Sequence, residues 1–442
     1  MLTRETSSKL NLFPLTAQVD EHGHLHIGGC DVVELVKEYG SPLYLFDEFT
    51  LRHKCHEFKA EFTKRYSNTL VIYAAKAFLN RALALIFKEE GLGLDVVSGG
   101  ELSIARSAAF PLGKVYFHGN NKTVDELKLA LDWGVGRIVV DNFYELELVN
   151  RLAMERNINQ DILLRITPGV DAHTHRYTTT GIIDSKFGFP LTTGQAETAL
   201  IQAMSAANLN LLGLHFHLGS PVSDILPYQV AIDLVLRFAA EAKAKHGFQL
   251  AEFSPGGGFA VQYILDSPVP AAAEYAEAIV FKLTDVGGEV GLTPPCLVIE
   301  PGRGIVGQAG VALYTVGAVK DIPQIRKYIC VDGGIGDNVR AAFYGAKYEA
   351  LVANKALRAE TERVTIAGKF CESGDILARD IKLASVLPGD IIAIPVCGAY
   401  CIPMSSNYNA SLRPTILMAN QSKARLIRRR ESYEDLTRLD LV

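Results

Sequence analysis

The sequence predicts an α/β protein: a closed (β/α)₈ TIM-like barrel joined to a second, mostly β domain. Three observations predict it. From residue 71 onward short β-rich runs alternate with stretches of helical apolar spacing; this happens eight times; and nearly every run ends in groups unsuited to a dry core. After Arg303 the alternation stops and β-rich stretches take over.

The runs, in order, are VIYAAK (Val71 to Lys76), LGLDVVS (Leu92 to Ser98), KVYFHGN (Lys114 to Asn120), RIVVDN (Arg137 to Asn142), ILLRITPG (Ile162 to Gly169), LLGLHFHLGS (Leu211 to Ser220), FQLAEFSPGGG (Phe248 to Gly258) and CLVIEPGR (Cys296 to Arg303). Between them, Leu127 and Leu131 follow a capping box from Thr123 to Glu126, and Ser98 to Glu101 repeats that helix-start signal. Residues 71–303 supply the roughly 250 residues such a barrel needs. The run ends carry Lys76, Asp95 with Ser98, His118, Asp141, Arg165, His217 with Ser220, three glycines, then Glu300 and Arg303. Their common position predicts one rim, at the carboxyl ends of the strands. A doubly wound open sheet is the competing layout, but the sequence contains neither G-x-G-x-x-G nor G-x-x-x-x-G-K-[ST].

Beyond Arg303 the stretches GVALYTVGAV, RKYICVDGG, RVTIAGKFC, DIIAIPV and SLRPTILM read as strands. The expected division is a segment 1–40 whose HLHI alternation (His24 to Ile27) adds a strand to the β domain, a barrel over 41–304, and a β domain over 305–442. The basic run Lys423 to Arg430, closed by Glu431, Glu434 and Asp435, reads as an exposed strand face.

Composition narrows the function. With 44 Lys+Arg against 49 Asp+Glu the net charge is −5, which argues against a nucleic-acid binder. The amino terminus, MLTRETSSKLNLFPL, lacks a secretory apolar stretch, and the apolar segment Ile391 to Met404 is broken by Pro395, Gly398 and Pro403, so neither export nor membrane insertion is expected. Seven cysteines without a C-x-x-C pair read as reduced thiols of a cytoplasmic protein.

Lys76, at the end of an apolar barrel strand, is a poor structural choice. Buried, its amine would be a nucleophile able to form a Schiff base with an aldehyde; otherwise it merely reaches solvent. Gly256, Gly257 and Gly258 after the seventh run offer backbone N–H groups to an anion, or simply a tight turn. Glu300 could pair with a protonated ring nitrogen, and His217 offers a flat imidazole. Together these describe a pyridoxal phosphate site. The pairs His173-x-His175 and His215-x-His217 raise a metal-dependent hydrolase as the competing reading, but no acidic ligand is obviously placed to complete either site, and no metal is expected.

With YAAKA (Tyr73 to Ala77), GLDVVSGGEL (Gly93 to Leu102), HGNNKT (His118 to Thr123), PGVDAHTHRYTTTG (Pro168 to Gly181), DSKFGF (Asp184 to Phe189), HFHLGS (His215 to Ser220), EPGR (Glu300 to Arg303), VDGGIGDNVRAAFYGAKY (Val331 to Tyr348), CESGD (Cys371 to Asp375) and GAY (Gly398 to Tyr400), the chain closely resembles the diaminopimelate decarboxylase family. These are fold type III, alanine racemase-like pyridoxal phosphate enzymes related also to ornithine decarboxylase. The resemblance runs from about Ser41 to Asn420. It departs from the family's usual wording at SPGGGFAVQY, HLGSPVSD and DNVRAAFY.

The resemblance implies the rest. Lys76 would carry the cofactor, His217 would stack on its ring, and Glu300 would pair with the ring nitrogen. The phosphate would lie among Ser220, Gly256 to Gly258, the segment Pro301, Gly302 and Arg303, and Tyr400. Asp95 and Arg165 look like groups supporting the lysine, with a structural ion pair within the barrel as the alternative. Arg303, Arg340, Tyr344 and Tyr400 would hold substrate carboxylates, Glu372 the distal ammonium, and Cys371 would be the proton donor. The implied reaction converts meso-2,6-diaminopimelate to L-lysine and CO₂, the last step of lysine biosynthesis, in a homodimer with shared sites. A sister decarboxylase for another carboxylate-bearing amino acid and a catalytically silent regulatory homologue are the alternatives.

Overall fold

The computed structural model describes residues 8–172 and 178–441. The chain divides into two compact units, a barrel unit of residues 55–260 and 270–304 and a sheet unit of residues 1–54, 261–269 and 305–442.

In the barrel unit the strands are β1 (Thr69–Ala74), β2 (Gly93–Val96), β3 (Val115–Phe117), β4 (Arg137–Val140), β5 (Gln160–Thr167), β6 (Leu209–His215), β7 (Glu252–Gly256) and β8 (Cys296–Ile299). Each pairs in parallel with the next. β8 pairs in parallel with β1, through Leu297 opposite Thr69, so the cylinder closes. All eight strands coincide with the runs read from the sequence. Strands covered on both faces cannot alternate apolar with polar, and this is why they read as short continuous apolar runs. Ile72, Tyr116, Val139, Leu163 and Val298, from five of the strands, form one buried cluster. At the amino-terminal ends Glu252 accepts from Arg137 Nη2 at 2.7 Å and from the Tyr116 hydroxyl at 2.9 Å, a structural network away from the chemistry.

The connecting helices start where the sequence marks them. The Thr123–Glu126 capping box opens Val124–Asp132, whose Leu127 and Leu131 are buried. Ser98 caps Gly99–Ser107 through the Glu101 amide, but the Glu101 carboxylate turns to the Val97 amide at 2.7 Å, so that box is one-sided.

The main sheet of the sheet unit has nine strands among the described residues. Along one path run Ile376–Leu383, Glu362–Ala367, Arg326–Val331, Gly310–Ile322, Leu43–Asp47, Thr415–Asn420 and Lys423–Arg428. Ile391–Ile394 pairs with Gly310–Ile322 and with Leu351–Val352. One boundary changes here. Residues 41–54, grouped with the barrel by sequence, belong with the sheet unit, because Leu43–Asp47 pairs antiparallel with Gly310–Ile322 and parallel with Thr415–Asn420. The HLHI stretch lies in the sheet unit, outside the nine-stranded sheet. Leu25–Ile27 instead forms a separate three-stranded sheet with Gln18–Val19 and Cys30–Asp31, and Leu25 and Ile27 pack into a core with Leu43, Leu313 and Leu417. Lys423–Arg428 is an edge strand with mostly exposed side chains, as its charge pattern predicts.

Candidate active site

Six strand ends of the barrel unit carry the groups of interest. β1 ends in a single 3₁₀ turn, Ala75–Ala77, which lifts Lys76 out of the strand and leaves its side chain about one third exposed. Its Nζ donates to Asp95 Oδ2 of β2 at 2.9 Å. Asp95 is wholly buried, and its Oδ1 has no hydrogen-bond partner among the described residues. His118 Nε2, beyond the end of β3, lies 3.8 Å from that oxygen.

Glu300, just past β8, is buried at the centre of a second group. Its Oε1 accepts from Ser254 Oγ of β7 at 2.9 Å and lies 3.2 Å from His215 Nδ1 of β6 and 3.5 Å from His118 Nε2. Burial alone would raise this carboxyl; the two imidazoles outweigh it and hold it at about 2, so Glu300 is ionised at neutral pH. His118 and His215 meet edge to face at 4.7 Å. Burial pushes His118 well below the usual imidazole range, as it does His217, where Lys76 and Arg165 add to the effect.

The glycine turn closes the rim on this side. A side chain on Gly257 would place its Cβ 2.0 Å from the Glu300 carbonyl oxygen, and one on Gly258 (φ 106°) 2.4 Å from that of Gly219. Only glycine fits so close an approach. The Gly257 amide points at His217 Nδ1 at 3.4 Å, the Gly256 amide donates to Ser254 Oγ at 3.2 Å, and Tyr228 holds the Gly257 carbonyl at 2.6 Å. Arg303, buried, donates through Nε to Ser220 Oγ at 3.3 Å, and the Pro301 carbonyl accepts from Ala74 at 3.3 Å, which seats Pro301 and Gly302 beside β1.

Lys76, Asp95, His217, Ser220, Gly256, Gly257, Gly258, Glu300 and Arg303 therefore all lie at the carboxyl ends of the barrel strands. Arg165, in the same rim, sets its guanidinium 3.8 Å from Asp141 and 4.2 Å over the Phe187 ring. His118, His215 and Ser254 crowd Glu300 although the sequence reading assigned none of them to it; for Ser254 the signal was its place two residues before the glycine triplet. Glu300 also supplies the acidic neighbour that the reading found missing beside His215. Glu101 was read only as a helix-start residue, yet burial, with help from Asp95, pushes its carboxyl up to about 7 while Lys76 pulls it back. His173 and His175 lie outside the described residues.

The remaining candidates belong to the sheet unit. Arg340, buried, donates to the Tyr348 hydroxyl at 2.7 Å and lies 4.6 Å over the Tyr263 ring, while its Nε has no hydrogen-bond partner among the described residues. Tyr344 reaches Met404 Sδ at 3.8 Å, and Tyr400 sits in the left-handed region at φ 60°. Cys371 and Glu372 are exposed at the start of the CESGD turn, with Glu372 accepting from the Tyr408 hydroxyl at 2.6 Å. The same turn is fixed by Asp375, which accepts from the Ile335 and Phe370 amides at 2.7 and 2.9 Å. A Cβ on Gly334 or Gly368 would fall within 2.4 Å of that carboxylate.

Comparison with known proteins gives a consistent picture. The family model for the pyridoxal-dependent decarboxylase, pyridoxal binding domain, matches residues 49–307. The chain is 45% identical over 426 residues to a diaminopimelate decarboxylase of Bacillus subtilis (strain 168), covering 96% of this chain and 97% of that one. Among solved structures it is similar to diaminopimelate decarboxylase from M. jannaschii in complex with L-lysine, at TM-score 0.91 and 34% identity, covering 97% of this chain and 98% of that chain. The enzyme from Helicobacter pylori complexed with L-lysine gives TM-score 0.85 and 31% identity, over 92% of this chain and 99% of that chain.

Proposed function

The chain belongs to the diaminopimelate decarboxylase family of pyridoxal-dependent decarboxylases, and from that premise we propose how its own residues divide the work. It is a carboxy-lyase that converts meso-2,6-diaminopimelate to L-lysine and CO₂ with pyridoxal 5'-phosphate as cofactor. The observation that carries the assignment of roles is the accessible Lys76 amine held 2.9 Å from buried Asp95 at the carboxyl rim of a closed barrel.

The barrel residues fit the cofactor. Asp95 carries an unsatisfied buried oxygen next to the amine, the glycine turn leaves its backbone bare where a Cβ could not stand, and Glu300 is an ionised carboxylate suited to a ring N–H. When bound, pyridoxal phosphate supplies a cationic ring into which the electron pair of the breaking carbon–carboxylate bond can spread. Lys76 is the residue that holds it, with Asp95 keeping the Nζ proton close. His217 supplies the flat face; Ser220, Gly256, Gly257, Gly258, Gly302, Arg303 and Tyr400 supply donors for the phosphate. Glu300 would keep the ring proton in place.

The substrate presents a reacting amino acid centre and a distal carboxylate and ammonium. Arg303, Arg340 and Tyr344 take the carboxylates, Glu372 takes the distal ammonium, and Cys371 Sγ gives a proton to the carbon that has lost CO₂. Burying a charge without its partner costs about 3–5 kcal/mol, so simple diamine precursors lacking the second carboxylate are rejected. The exposure of Cys371 and Glu372 on their own chain supports a head-to-tail homodimer in which they serve a neighbour's barrel. Seven free thiols support a cytoplasmic location. Among the described residues no helix is long and apolar enough to cross a membrane.

The test is CO₂ release from meso-diaminopimelate beside lysine, ornithine and arginine, with borohydride reduction and mass mapping of the labelled residue. Selective turnover and label on Lys76, both lost in Lys76→Ala, are expected. Turnover surviving in Lys76→Ala, or label on another lysine, would overturn the assignment.

A further inference from the structure

The segment Asp20 to Asp31 holds a second group of chemistry-bearing side chains, within the sheet unit and unused by the reaction. The three short strands Gln18–Val19, Leu25–Ile27 and Cys30–Asp31 pair antiparallel, with His26 opposite both Gln18 and Asp31. Strand alternation sends His24 and His26 to one face. There His24 Nδ1 lies 2.8 Å from Asp31 Oδ2, and His26 Nε2 lies 3.1 Å from Asp20 Oδ2. One ligand atom each from Asp20, His26 and Asp31 falls within 4.8 Å of the other two. Two separate His–Asp pairs would have no need to converge in this way.

We propose that Asp20, His26 and Asp31 bind one divalent transition-metal ion of the zinc class, with His24 as the residue that positions Asp31. A tetrahedral ion with bonds of about 2.1 Å needs ligand atoms about 3.4 Å apart, so the three side chains must close by little more than an ångström. One imidazole and two carboxylates suit zinc, and the two carboxylates neutralise its charge. Asp31 is already divided for this purpose. Its Oδ1 caps the helix Val32–Tyr39 by accepting from the Val33 amide at 2.7 Å, which leaves Oδ2 to face the histidines. With the ion present, His24 donates to the ligating carboxylate, the support that metal-bound carboxylates commonly have. Access is open: all four side chains are between one fifth and one third exposed. Asp20 and His26 also line a cavity of about 630 Å³ shared with Asp47. Asp47 is buried, and its Oδ1 has no hydrogen-bond partner among the described residues, which adds negative potential to the approach. The ion would tie three strands and a helix start together.

The test uses the full-length holoenzyme, with zinc chloride titrated by calorimetry and by equilibrium dialysis. The wild type should bind one ion per chain more than His26→Gln, and His24→Gln should bind that ion about tenfold more weakly. Zinc should raise the melting temperature of the wild type but not of His26→Gln, with CO₂ release equal in the two without added metal. Should His26→Gln fold poorly, Asp20→Asn provides the same comparison without touching the helix cap. Failure of the wild type to bind zinc, or equal uptake by the wild type and both ligand variants, would overturn the proposal.

Discussion

Replacing Glu300 by glutamine keeps the shape of the side chain and removes its charge at the centre of the barrel rim. The carboxyl is held at about 2 against an ordinary 4.5. At 1.36 kcal/mol per tenfold, that difference corresponds to about 3 kcal/mol of preference for the ionised form in the folded state. The folded value is the lower one, so this contribution is fully present above the ordinary 4.5 and fades as pH falls from there toward 2. The variant should therefore be less stable than the wild type by up to about 3 kcal/mol, and the gap should stay constant from pH 8 to pH 5 and close only below that. Urea midpoints of both proteins at saturating cofactor, taken at unit steps of pH, measure it. Loss of the fixed negative charge should also lower kcat for CO₂ release by roughly 100-fold, as removal of one preorganised electrostatic partner does in other active sites. A gap that changes steadily between pH 5 and 8 would mean that Glu300 titrates there, and the claim that His215 and His118 keep it ionised would fall.

Two further outcomes follow from the geometry. Gly257→Ala must move the glycine turn by about an ångström to relieve a 2.0 Å approach to the Glu300 carbonyl, at a cost of about 1–3 kcal/mol; cofactor affinity and melting temperature should both fall, and an unchanged variant would show that the turn is not constrained. Mixing inactive Lys76→Ala and Cys371→Ala chains should restore partial turnover if sites are shared between subunits, and no recovery despite confirmed subunit exchange would count against the head-to-tail dimer.

The eight barrel strands were legible because burial on both faces writes itself as an uninterrupted apolar run, and because the residue that ends each run meets a polar rim. LYLFD at Leu43–Asp47 lay within the 41–304 bound drawn for the barrel, but its partners, Gly310–Ile322 and Thr415–Asn420, are hundreds of residues away, and nothing local reveals them. The segment 261–269 likewise follows a barrel strand in the chain but groups with the sheet unit. Position along the chain could assign Lys76 and Glu300 to the rim. It could not reveal that His118, His215 and Ser254 surround the carboxylate, since that depends on which strand ends meet around the cylinder. Arg165 shows the same limit: its place after a strand could not tell that Asp141 and Phe187 are its neighbours.

The anchoring of the CESGD turn by Asp375 separates two jobs within five residues. One end is clamped to the amides of Ile335 and Phe370, and only glycine at 334 and 368 leaves room for the clamping carboxylate. The other end displays a thiol and a carboxylate on a platform of fixed height. Under the roles proposed above, exchanging the side chain at position 372 alone would retune selectivity, whereas drift at 334, 368 or 375 would displace the thiol of Cys371 and the carboxylate of Glu372 together.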